Sequence, residues 1–145
     1  MNHYDDRTEA LLEERFHVLD VLPRQVSAER GAAWFAAERW LLQRPRLEAL
    51  YARFASVLIR LSCYYDLAVT DGGAWLDRPE PEELEARLAR CVDGGWLNIL
   101  LPGEDALFTL SGGDVYMTLY HASPALADTA AQLAAAEGLF LRPGD

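Results

Sequence analysis

Three features of this 145-residue sequence predict an α+β fold, with a mainly antiparallel sheet of five to six short strands covered by four or five helices. The first is the stretch 96–120, WLNILLPGEDALFTLSGGDVYMTLY, which reads as three strands joined by two tight turns. The second is a helical repeat of apolar residues, Leu47, Leu50, Tyr51, Phe54, Val57, Leu58 and Leu61, at i, i+3, i+4, i+7 spacing. The third is the absence of any repeat, low-complexity tract or linker, so residues 1–145 are expected to form a single domain.

Within 96–120, Trp96 to Leu101 is an almost continuous apolar run of strand length, interrupted only by Asn98. Pro102-Gly103-Glu104-Asp105 and Ser111-Gly112-Gly113-Asp114 supply the turns. The last run alternates. Val115, Met117 and Leu119 fall on one face, and Tyr116, Thr118 and Tyr120 on the other. The first set reads as core; the phenols suit a partner as well as they suit solvent.

The remaining elements follow in order. A short acidic helix is expected over 5–15, and a strand over 16–22 that ends at Pro23. Asp20 interrupts the apolar face of that strand, so it lies either at a sheet edge or against an arginine. Ser27 is the expected N-cap of a helix running to Gln43. Its apolar residues, Trp34, Phe35, Trp40, Leu41 and Leu42, wrap over half its circumference, which means burial on more than one side or an interface, a homodimer included. Arg44-Pro45-Arg46 breaks that helix ahead of the 47–61 repeat. Arg46, Arg53 and Arg60 recur on the far face of the repeat, as a solvated row or an anion site. Tyr64 to Thr70 reads as a strand, Asp71-Gly72-Gly73 as its turn, and Ala74-Trp75-Leu76 as a short return. Pro81 suits the first turn of a helix whose Glu83 and Arg87 are spaced to pair. Ser123-Pro124 opens another helix, stopped at Gly138, and Leu139-Phe140-Leu141 makes a final strand.

Charge narrows the function. The net charge is −10, and all 13 basic residues are arginine. They are concentrated over 24–60, where seven arginines face three glutamates; over 61–145 four arginines face fourteen acids. Such acidity disfavours nucleic acid and anionic membranes, both of which need a cationic footprint. No apolar run approaches the ~20 residues that cross a bilayer, and the polar, acidic N-terminus is unlike a secretory signal, so a cytoplasmic location is expected. Cys63 and Cys91 are expected to be reduced, part-buried thiols. His3, His17 and His121 have no second ligand at metal spacing, and no nucleophile elbow, phosphate loop or dinucleotide fingerprint is present. No cofactor, metal or catalytic residue is therefore assigned. An enzyme or small-ligand site would have to draw on residues such as His121, Tyr116 and Arg60.

The surface carries more. Trp75 lies between Asp71 and Asp77, just ahead of Glu80, Glu82 and Glu83. Glu104, Asp105 and Asp114 occupy the sheet turns beside Tyr116 and Tyr120, and Tyr64 and Tyr65 are expected on a neighbouring strand. Aromatic anchors amid carboxylates suit a basic protein partner, the rings for burial and the acids for steering. Asp71, Trp75, Asp77, Glu80, Glu82, Glu83, Glu104, Asp105, Asp114, Tyr116 and Tyr120 are the candidate partner-binding residues; Trp75 and one tyrosine of each pair could equally be core.

The segments LDVLPRQV (19–26), LSCYYDLAV (61–69), DVYMTLYH (114–121) and LAAAEGLFLRPG (133–144) prompt one comparison. The chain as a whole resembles the small, acidic, cytoplasmic α+β immunity proteins of bacterial polymorphic and contact-dependent toxin systems. That resemblance implies stoichiometric inhibition, in which an acidic surface covers the active site or groove of a cognate toxin, often a basic nuclease. The alternative of another class is a secretion-chaperone-like protein that binds an extended effector segment.

Overall fold

The computed structural model describes residues 3–144. In chain order the first half comprises α1 (His3–Leu11), β1 (Phe16–Asp20), a 3-10 turn (Ala28–Arg30), α2 (Gly31–Leu41), α3 (Arg44–Leu61), β2 (Ala68–Thr70) and β3 (Leu76–Asp77). The second half comprises α4 (Pro81–Arg90), a 3-10 turn (Cys91–Asp93), β4 (Trp96–Leu101), β5 (Ala106–Ser111), β6 (Met117–Tyr120), α5 (Pro124–Ala136) and β7 (Phe140–Pro143).

The sequence of α3 determines how the layers stack. Its repeat puts Leu50, Tyr51, Phe54, Ala55, Val57, Leu58 and Leu61 on one buried side. That stripe lies against the inner face of an antiparallel sheet, whose contribution includes Leu19, Val69, Leu97, Ile99, Phe108, Leu110, Met117 and Leu119. α4 and α5 pack on either flank of α3 and complete the layer with Leu84, Leu88, Leu126 and Ala130. α5 starts as its sequence predicts, with the Ser123 hydroxyl accepting the Leu126 N–H at 3.1 Å and Pro124 in the first turn.

The sheet runs β3-β2-β4-β5-β6-β1-β7. Its centre is the 96–120 meander, paired Trp96 to Ser111 through Leu101 to Ala106. β1, from the N-terminal region, enters between β6 and β7. Asp20 is thus on an inner strand, and the arginine reading of it holds: the Arg142 guanidinium on β7 donates to its Oδ2 at 2.9 and 3.2 Å.

Seven strands exceed the five to six expected, because β2 and β3 are only three and two residues long and pair beyond the meander. The strand expected over 64–70 is cut back to Ala68–Thr70. Tyr64 and Tyr65 instead continue the end of α3, both N–H groups donating to Leu61 O, so they are not neighbours of Tyr116 and Tyr120 in the sheet. The helix expected over 27–43 is split at Gly31, and Ser27 makes no side-chain cap bond. Arg44 and Pro45 do more than break it. They form the first turn of α3, where the missing proline N–H costs nothing. Both cysteines are free; Cys91 is buried, whereas Cys63 is exposed rather than part-buried.

Tyr51 ties this layer to the sheet turns. Its hydroxyl donates to Asp114 O at 2.7 Å and accepts the Gly113 N–H at 3.1 Å, which locks the β5–β6 connection. Burial pushes its pKa up to about 12, so its neutral form is the one that the fold holds. Ionisation is easier in the unfolded chain, so stability present below pH ~10 is lost as pH rises toward 12. Tyr51→Phe should cost about 1–3 kcal/mol by stranding the turn's polar groups, and should flatten the loss of stability between pH 10 and 12, read by urea denaturation.

His17 has the opposite sign. Burial lowers its pKa below the usual histidine value, with Arg15 adding to the effect. The unfolded chain then binds the proton more readily, so stability is full above pH ~6.5 and falls as pH drops below it. Between pH 8 and 5 the denaturation midpoint of the wild type should fall relative to that of His17→Phe; parallel curves would show that His17 contributes nothing to this slope.

Candidate binding surface

The outer face of the sheet is built differently. Among the described residues only α1 crosses it, burying Leu11 against Leu100 and Leu107. Polar contacts hold α1 there along its length. Arg7 pairs with Asp105 at 2.7 Å and donates to Pro102 O at 2.8 Å. The Tyr4 hydroxyl donates to Asp77 at 2.8 Å, and that bond holds the phenol above its ordinary pKa. The Trp75 indole N–H donates to Asp5 at 2.8 Å, and its ring meets Tyr4 edge-on, centroids 5.4 Å apart. α1 divides the outer face into two grooves.

The first groove lies between α1 and the β2–β3 end of the sheet and has a volume of about 440 Å³. Asp5, Thr8, Glu9 and Leu12 form its α1 wall; Thr70, Trp75, Trp96, Asn98 and the Gly72-Gly73 turn form the rest. Two carboxylates line it and no arginine does. Trp96 is 45% exposed and Leu12 44%, so two sizeable apolar side chains face solvent on the same groove. Gly72 seats the Trp96 ring. Its φ is +112°, and an added Cβ would lie 3.2 Å from the indole. Trp96 therefore stands on a backbone platform that only glycine accommodates without strain.

The second groove lies beyond α1, over β6, β1 and β7. It comprises two adjoining hollows of about 340 and 280 Å³ that share Gln25, Tyr116 and Arg142. Tyr120 and Phe16 stack obliquely at its mouth, 5.9 Å between centroids. Tyr116 sits near Asp114, and burial followed by that carboxylate raises the phenol's pKa. Burial likewise raises the Asp114 carboxyl, against the lowering effect of the Tyr116 hydrogen bond.

The sequence-selected residues therefore fall into separate places. Trp75 is on the first groove, with its indole already engaged by Asp5. Asp71 is on the adjoining turn and reaches Arg87 at 3.9 Å; Glu83 pairs with the same arginine at 2.9 Å, as its spacing predicts. Glu80 and Glu82 are exposed at the start of α4. Asp77, Glu104 and Asp105 are at the opposite end of the sheet, where Asp77 and Asp105 bond to Tyr4 and Arg7 and Glu104 accepts from Ser123 at 3.4 Å. Tyr116 and Tyr120 line the second groove, and Asp114 stands in the turn beside it.

Asp5, Glu9, Leu12 and Trp96 complete the first groove without having been selected from sequence. The signal for Trp96 was its parity: it shares a face with Asn98, the single polar position of β4. The signal for Glu9 and Leu12 would have required knowing which side of α1 meets the sheet.

His121, Tyr116 and Arg60 do not converge. His121 ends β6 at the Arg15 side, where its backbone N–H donates to Arg15 O at 2.9 Å and its Nδ1 is 2.8 Å from Asp105 O. Tyr116 precedes the other end of β6, and Arg60 pairs with Glu137 behind the sheet at 3.3 Å. Among the described residues, no cluster of three or more histidine, cysteine or acidic side chains could hold a metal.

The ion pair under the second groove can be tested. The Asp20 and Arg142 side chains are only 12% and 19% exposed. Arg142→Ala strands the carboxylate and should destabilise by about 2 kcal/mol, less than the ~3–5 of a fully buried pair. Combining it with Asp20→Asn should recover most of the loss in urea denaturation. Comparison with family models, curated proteins and solved structures finds no match to this chain.

Proposed function

We propose that this chain is a non-catalytic protein-binding inhibitor of the immunity type, which covers a basic surface of a cognate toxin with the groove between α1 and Trp96. The observation that carries the reading is the composition of that groove: exposed Trp96 and Leu12 beside Asp5 and Glu9, with no arginine among the lining residues. Apolar anchors supply affinity when a partner desolvates them, and neighbouring carboxylates select a cationic partner and speed its approach. Exposed Glu80 and Glu82 and the acidic excess of the whole chain extend the same field.

Trp75 acts as the groove's braced floor, because its N–H is committed to Asp5. Trp96 and Glu9 are the contact residues. Preorganisation on a docked helix and a glycine-supported ring limits the ordering cost of binding.

The test uses the toxin domain encoded beside this gene, titrated by calorimetry with purified chain. Trp96→Ala should weaken binding by roughly 30-fold or more, the loss of a hot-spot aromatic. Glu9→Arg should act mainly on the association rate and reduce its salt dependence. Tyr120→Phe, on the far groove, should leave affinity unchanged. Equal affinity of Trp96→Ala and the wild type would sink the reading, as would a neighbouring gene that encodes no toxin.

A further inference from the structure

α2 is the least covered of the α-helices described, with no buried residue along its length. Trp34 and Leu41 rest on the core, and the opposite side faces outward. That outward side is apolar. Phe35 is 64% exposed and Trp40 53%, with Ala32 and Ala36 between them. Trp40 is held in this position, since the Arg46 guanidinium lies 4.1 Å from its ring centroid and is itself bonded to Gln43. Two large exposed aromatics on one helix, with alanines between them, suit an interaction surface.

We propose that this face is the interface of a two-fold homodimer in which two copies of α2 pack antiparallel. Its charge pattern complements itself. Glu29 and Arg39 stand at equal sequence distances outside Ala32 and Ala36, one beyond each. Antiparallel packing that sets Ala32 on Ala36 of the partner subunit therefore brings the 3-10 turn that carries Glu29 to the Arg39 end of the partner's α2, twice by symmetry. Among the described residues, neither charge has an ion-pair partner within its own chain. The two alanines permit close approach of the helices, and Phe35 and Trp40 close over the seam.

The α2 face is distinct from the acidic groove between α1 and Trp96. The two surfaces share no lining residue, so self-association leaves the groove open. The size of the face sets the strength. Two part-exposed aromatics and small neighbours offer on the order of 400 Å² per protomer, about half of the ~800 Å² per partner in a standard interface. The dimer is consequently weak, with a dissociation constant in the micromolar range.

Sedimentation velocity of the full chain from ~1 to ~500 µM spans that range. The wild type should shift from monomer to dimer, and Phe35→Asp should remain monomeric with unchanged circular dichroism. Glu29→Arg and Arg39→Glu should each weaken the dimer about tenfold or more, since each turns two symmetric attractions into repulsions. The two substitutions together should restore it to within about threefold of wild type. A wild type that stays monomeric throughout, a dimer indifferent to Phe35→Asp, an assembly that grows beyond two copies, or a double variant without rescue would each overturn the proposal.

Discussion

The apolar stripe of α3 is the constraint that the other elements satisfy. Once Leu50, Phe54, Leu58 and Leu61 lie against Ile99, Phe108 and Met117, the sheet has an inner face sealed by three helices. Burial of this kind stabilises by roughly 25 cal/mol for each Å² removed from water. Among the described residues nothing equivalent exists on the other side, where a single helix crosses the strands. The chain thus separates its tasks by face, with stability behind the sheet and accessible chemistry in front of it.

The front face owes its shape to polar contacts. α1 buries one leucine and one threonine, so its position depends on Arg7, Tyr4 and Asp5 engaging Asp105, Asp77 and Trp75. Each exposed contact is worth little alone. Spaced along the helix, they fix its axis and so fix the α1 wall of the first groove. Several carboxylates that look like binding groups in one dimension are spent on this internal task, which is why acid count overstates the free acidic surface.

Much of the fold was legible because its signals are local. The 3.6-residue period of α3, the Ser123-Pro124 start of α5 and the Gly112-Gly113 turn all report on their own neighbourhoods, and each appears where its sequence places it. The site was less legible because it is assembled from distant pieces. Trp96 reads as core within its own strand; it is exposed because β2 ends at Thr70 and the Gly72 turn passes beneath its ring. Asp20 left two readings open until β7, more than a hundred residues later, supplied Arg142. Tyr64 and Tyr65 failed as strand residues because α3 runs on into a turn, an outcome that local β-propensity does not register.

The place of β1 has a consequence for synthesis. It is made early, yet both of its partners, β6 and β7, come from the far end of the described chain, and its Asp20 meets an arginine 122 positions away. During translation α3, α4 and the β4–β5 hairpin follow it before either partner strand is made, and these hold a set of mutually local contacts. β1 must wait through all of them with an unpaired backbone and an uncompensated acid. Closing so long a loop is slow relative to hairpin formation, so the sheet is finished at the edge where the chain began. The nascent protein thus exposes the outer margin of β1 until β7 has emerged, and that interval is when it is most exposed to wrong pairing.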